Sequence, residues 1–267
     1  MKKWCLFLSV YFCLCMLAAC AVADNGAPAA EEPVQSEPKE VSVMVCRVVG
    51  DGKRGLLLAK QEGGYGDVYA MPSVLAEEFS GGELVEVTWS GTVQESFPAG
   101  LVDVMQMQPL EYGFDDLSRL YLTVLEDLWE VDSGLNESGV DYIGVDLGNT
   151  SLWDSEKSAV AHIFAGRHDA QTVAGTWEEL LEAGYIAAEP LGTEDAPANA
   201  KFYHWENGCH FSVTEKPIVG SYSLKPIAFD AQKWRSSLGA YFFVDCTSVQ
   251  SALGVWGDYG IGSEMIS

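Results

Sequence analysis

The chain has 267 residues, with 39 acidic and 15 basic side chains and a formal charge of −24. A surface this acidic repels polyanions, which excludes nucleic acid and anionic lipid as partners held by a basic footprint. Hydrophobic residues make up 48%, enough to build a buried core, and the length accommodates two ordinary domains.

Lys2 and Lys3 open the chain and an apolar run over 6–17 follows. That run is too short to cross the ~30 Å of a bilayer core comfortably, so residues 1–19 read as a cleaved signal peptide. The run ends in Leu17-Ala18-Ala19-Cys20, which resembles the lipobox of bacterial prolipoproteins. The resemblance implies that Cys20 becomes a lipidated first residue, held on the outer face of the cell membrane. Ordinary cleavage near 21–23 is the alternative, and both routes take the protein out of the cytoplasm. Residues 20–40, rich in Ala, Pro and Glu without apolar periodicity, are expected to form a disordered acidic tether.

Short strands are expected from 41: VSVMVCRVV, RGLLLAK, DVYAM, ELVEVTW and LVDVMQMQPL, with one short helix near 72–79. Five strands with a helix after the third predict a small OB-like barrel over 41–112. A helix over 114–128 follows, with Leu117, Tyr121, Val124, Leu125 and Leu128 at three- and four-residue spacing and Asp115 and Asp116 in its first turn. Next come a strand at 140–147 and a helix over 155–167, then a capping box at Thr176–Glu179 that opens a short helix ending at Gly184. Asn207-Gly208 predicts the two-residue turn of a hairpin over 201–215. A strand at 224–229, a helical turn at 230–237 and a strand from Ala240 complete an α+β domain over 113–267 with a mainly antiparallel sheet.

The segments GGELVEVTWSGTVQESFPAGL and FDAQKWRSSLGAYFFVDC resemble stretches of an uncharacterised two-domain lipoprotein family of Gram-positive bacteria. The resemblance implies a barrel-like N-terminal domain and carries no activity with it.

Cys46, Cys209 and Cys246 lie beyond the lipobox, and Cys209–Cys246 is the one pair in a common domain, so a disulfide between them is a candidate. In a hairpin turning at 207–208, His204 and His210 would face opposite ways and could not share a metal, whereas His204 and Cys209 would lie diagonally on one face. Cys209 as nucleophile with His204 as base is therefore the sharpest enzymatic candidate, set against a plain core-facing strand pair. His162 and His168 diverge on their helix, and His168 suits its carboxyl end. The oxygen-rich run from Asp132 to Asp141 lacks the glycine at position six and the glutamate at position twelve of a calcium loop, which leaves a turn. Trp153, Trp177, Trp205, Trp234 and Trp256 suit either a sugar-binding face or a core. No catalytic residue, metal site or cofactor is expected.

These features predict a lipid-anchored, non-enzymatic binding module of the cell envelope, taking an envelope ligand or protein. The alternatives are an extracytoplasmic enzyme assembled from distant residues, Cys/His based, or an accessory lipoprotein that captures a solute.

Overall fold

The computed structural model describes residues 41–267 except 53–54, 137–138, 192–196, 198 and 221. The signal peptide, Cys20 and the tether lie outside the described residues. Among those described, no helix is long and apolar enough to cross a membrane.

The chain is mostly β, with mainly antiparallel sheets. Its first part folds as β1 (Ser42–Gly52), β2 (Gly55–Lys60), β3 (Val68–Ala70), β4 (Leu84–Trp89), β5 (Val93–Gln94), β6 (Gly100–Leu101) and β7 (Val104–Pro109). Five of these form an antiparallel sheet in the order β3-β2-β1-β4-β7, and β5 pairs with β6. The five expected strands are all present, because their apolar residues alternate onto one inward face around Cys46, Val48, Leu58, Val85 and Val87. The expected closed barrel is not. Between β4 and β7 the chain makes the β5–β6 pair, and this carries Ala99 to β3 before β7 begins. The edge of β3 therefore meets Ala99 in a single parallel bridge, with Ala70 N donating to Ala99 O at 2.9 Å, instead of laddering with β7. The helix expected near 72–79 is a run of turns, held by Leu75 N to Pro72 O and Glu78 N to Leu75 O.

The second part contains α1 (Leu117–Glu130), β8 (Tyr142–Asp146), α2 (Asp154–Arg167), β9 (Gln171–Ala174), α3 (Trp177–Glu182), β10 (Ala187–Pro190), β11 (Lys201–His204), β12 (Gly208–Lys216), β13 (Lys225–Ser236), β14 (Gly239–Gln250) and β15 (Ser263–Ile266). Leu120, Tyr121, Val124, Leu125 and Leu128 bury the inner face of α1, each contributing roughly 1.5–3 kcal/mol. Asp115 and Asp116 do not enter its first turn. Asp116 Oδ1 accepts the Trp256 backbone N–H at 2.7 Å and Asp115 Oδ1 the indole N–H at 2.8 Å, which fastens the C-terminal segment to the start of α1.

The large sheet departs from expectation at three places. β13 continues as strand through 230–236, where a helical turn was expected, and pairs with β14 along its length. Asn207-Gly208 is not a hairpin turn. β11 and β12 follow one another along the same side of β13, His204 opposite Ser236 and His210 opposite Trp234, with 205–207 bulging out between them. Neither Asn207 nor Gly208 takes a positive φ; Gly208 is required because a Cβ there would lie 2.0 Å from the Trp205 ring. The Cys209–Cys246 disulfide is not formed, and both thiols are free. β13 runs between their strands, with Cys246 opposite Phe229 and Cys209 beyond the Trp234 pairing. Two strand spacings of about 4.8 Å each already exceed the Cα separation a disulfide spans.

The described residues of 41–267 pack as one compact unit. Val49, Ala59 and Val68 of the first sheet share a core with α1, α2 and the large sheet. Arg47 on β1 reaches into this junction: it ion-pairs with Glu156 at 3.4 Å, donates to the carbonyls of Gly82 and Gly113, and lies 5.2 Å over the Trp153 ring.

Candidate functional site

β8 and β9 are parallel neighbours joined through α2, a βαβ unit at one edge of a mainly antiparallel sheet. β12 lies parallel on the other side of β8. In such arrangements the loops leaving the carboxyl ends of the strands form a crevice that neither sheet nor helix fills. Here that crevice is a cavity of about 740 Å³, a size suited to a small organic ligand.

One wall is the end of β8 and its loop, Val145 to Gly148, where Asp146 Oδ1 accepts the Gly148 N–H at 2.8 Å. A second is the start of α2, with Lys157, Ser158 and Ala161. A third is the end of β9 and α3. Gly175 turns the chain at φ +141, and Thr176 then caps α3 in the expected reciprocal box, its N–H donating to Glu179 Oε2 at 2.8 Å and its Oγ1 accepting from Glu179 N at 3.2 Å. Buried Leu180 supplies the floor, and Trp205 and Ile186 pack behind it. Gly144, at the middle of β8, lets this floor converge: a Cβ there would lie 2.9 Å from Leu180, 3.1 Å from His210 and 3.1 Å from Trp205.

Three aromatic side chains complete the lining. Tyr65 comes from a Gly-rich loop pinned to α2 by Ser155, whose N–H donates to Gly63 O and whose hydroxyl donates to Lys60 O. Phe97 meets His162 edge-on at 5.4 Å, and Tyr185 leans on Tyr142 at 5.6 Å and Trp205 at 5.8 Å. Tyr65 titrates above the ordinary phenol value, chiefly through burial; Asp154, Asp146 and Glu179 add to the rise and Lys157 opposes it.

The residues singled out by sequence fall elsewhere. Cys209 is fully buried, its thiol donating to Trp234 O at 3.4 Å, and burial pushes it up to about 12, so no thiolate forms near neutral pH. His204 stacks on Phe202 at 5.7 Å. His210 is 1% exposed. Burial pulls its pKa down, outweighing the pull of Asp146 and the Gly175 backbone in the other direction. His168 stacks on Trp129 at 3.8 Å and meets Glu126 at 3.0 Å. The oxygen-rich run after α1 does bind a cation, but the cation is the protein's own Lys233, whose ammonium is taken by Val131 O, Asp132 O and Asn136 Oδ1. Among the described residues, no three His, Cys, Asp or Glu side chains gather as a metal site. Trp205 and Trp256 are core, Trp177 and Trp234 pack edge-on at 5.7 Å, and Trp153 covers Arg47. None of the five lines the cavity.

Sequence reasoning missed the cavity because it missed β9. QTVA is four residues and half-exposed, a weak strand signal. The available clue was the order strand, Gly/Asn-rich loop, helix and TVA over 142–174, which is the order of a βαβ unit.

No family model matches the chain, and no curated protein or solved structure matches it either.

Proposed function

We propose that this is an exported, lipid-anchored binding protein that holds a small solute in the cavity at the carboxyl ends of β8 and β9. The cavity is the observation that carries the binding half of this reading: about 740 Å³, with a mixed lining of three aromatic rings, two carboxylates and one ammonium. The reading joins a binding module to solute capture and needs no chemical step. Cys209 and His204, the pair an enzymatic reading would use, contribute nothing to the cavity lining.

The address rests on sequence. Lys2 and Lys3, the apolar run and the lipobox-like Leu17–Cys20 support export and lipidation at Cys20, and the 20–40 segment supplies a tether. Kinship with uncharacterised Gram-positive lipoproteins is part of the same proposal. So is an OB-type topology for 41–112, supported by the strand order and by the parallel bridge that carries Ala99 to β3.

Two experiments test the halves separately. Palmitate labelling in a bacterial host should mark the full chain and not the Cys20→Ser variant; equal labelling, or none, defeats the anchor. Thermal unfolding of residues 21–267 against sugars, amino acids, amines, nucleosides and short peptides should show a shift with one class, since a ligand at 100 times its Kd stabilises by about 2.7 kcal/mol. The shift should vanish in Ala183→Trp, which adds bulk at an exposed position of the cavity wall. A shift that survives in that variant places binding elsewhere.

A further inference from the structure

The lining of the cavity constrains what it can hold. Two of its carboxylates, Asp146 and Glu179, face one ammonium, Lys157, and that ammonium is already engaged by Asp154 at 3.0 Å. The start of α2 could in principle attract an anion through its free N–H groups. It is occupied from within: Glu156 Oε2 accepts the Trp153 N–H at 2.9 Å, and Asp154 and Glu156 both stand in the first turn. The start of α3 is likewise closed by the Thr176–Glu179 box, so an anion would enter a site whose helix amino ends and one lysine are already neutralised, on a protein of charge −24.

A cation meets the opposite conditions. Asp146 and Glu179 each spend one oxygen on a local backbone N–H, Gly148 and Thr176 respectively, and a carboxylate retains further acceptor capacity beyond one such bond. Tyr65, Phe97 and Tyr185 offer ring faces and edges, and aromatic faces attract ammonium groups. The floor, Val145, Leu147, Ala161 and Leu180, is apolar.

Building on the binding reading above, we infer that the cavity selects an organic cation: an amine or quaternary ammonium with an apolar body, the charged group between Asp146 and Glu179 and the body over Leu180 among Tyr65, Phe97 and Tyr185.

Three probes of one shape separate charge from size: 1-naphthylmethylammonium, the neutral 1-naphthalenemethanol and the anionic 1-naphthoate, titrated into residues 21–267 by calorimetry at low salt. The ammonium should bind at least about tenfold tighter than the alcohol, and the carboxylate more weakly than both, a spread of the size one or two partly exposed charges produce. Asp146→Asn with Glu179→Gln keeps the acceptors for Gly148 and Thr176 while removing both charges. It should bring the ammonium to within about threefold of the alcohol and preserve the unfolding midpoint to within a few degrees. Binding of all three should be lost in Ala183→Trp, with Ala174→Trp at the end of β9 as a second filler. If the alcohol or carboxylate binds as tightly as the ammonium and the fillers abolish it, the cavity binds solutes but does not select cations, and only this inference falls. If none of the three binds up to millimolar concentration, or the fillers change nothing, the binding reading falls with it.

Discussion

Lys233→Met should destabilise the fold by about 3 kcal/mol, and the estimate follows from what its ammonium touches. Lys233 is fully buried on the inward row of β13. Its Nζ donates to Val131 O, to Asn136 Oδ1 at 2.8 Å, to Asp132 O at 3.2 Å and to Trp129 O at 3.4 Å, so one side chain closes the carboxyl end of α1. Hydrogen bonds to a charged group contribute about 1.5–3 kcal/mol each, and a buried acceptor left without a donor costs about 1–3 kcal/mol. Burial works against the charge, pushing the Lys233 pKa below its ordinary value of 10.5, and this offsets a large part of the sum. Methionine keeps the length of the stem, so little of the loss comes from a cavity. Urea unfolding followed by tryptophan fluorescence should show the midpoint falling by about 1 M at unchanged slope. A loss under about 0.5 kcal/mol would refute the idea that Lys233 holds α1, the 132–136 turn and β13 together.

Arg47→Met should cost about 3–5 kcal/mol, because it strands the buried Glu156 carboxylate, whereas the double variant Arg47→Met/Glu156→Met should recover most of the loss; a double-mutant cycle by denaturant titration checks this. Burial holds His210 and His162 below their ordinary 6.5. The folded chain keeps both neutral while the unfolded chain protonates them, so stability is full above pH 6.5 and is lost as pH falls from there toward their folded values. His210→Leu should flatten that slope in part, as read by unfolding midpoints between pH 7 and 5. Burial opposes the charge on Glu126, but hydrogen bonds from His168 and Arg167 outweigh it and hold the carboxyl below 4.5. Its contribution is thus full above pH 4.5 and is lost as pH falls from there through its lower folded value, and Glu126→Gln should cost about 1 kcal/mol at pH 7 and progressively less in acid. Cys46, Cys209 and Cys246 should all resist a thiol reagent in the folded chain and all three react in guanidinium; two unreactive thiols after unfolding would indicate a disulfide.

Elements whose signal is local were legible. β1 and β2 are short apolar runs rich in Val and Leu, β4 alternates, α1 and α2 repeat every three or four residues, and Thr176 with Glu179 makes a capping box visible at a glance. Elements set by tertiary demands were not. β13 looked broken at 230 because its inward row carries Lys233, a charge whose partners lie about a hundred residues away. Asn207-Gly208 has the chemistry of a tight turn, yet β13 is long enough to pair with both flanking segments, and Trp205 needs the space at Gly208. The cavity was illegible for the same reason: Tyr65, Phe97, Asp146, Glu179 and Tyr185 share no spacing, and they meet only through the parallel pairing of β8 with β9 and the docking of the Tyr65 loop and Phe97 on α2.

The most direct measurement is a crystal structure of residues 21–267 soaked with 1-naphthylmethylammonium. The expected result is the ring system over Leu180, in contact with Tyr65 or Tyr185, and the ammonium within hydrogen-bond distance of Asp146 or Glu179. Density for the probe on another surface with this cavity empty, or the amine seated away from both carboxylates, contradicts it.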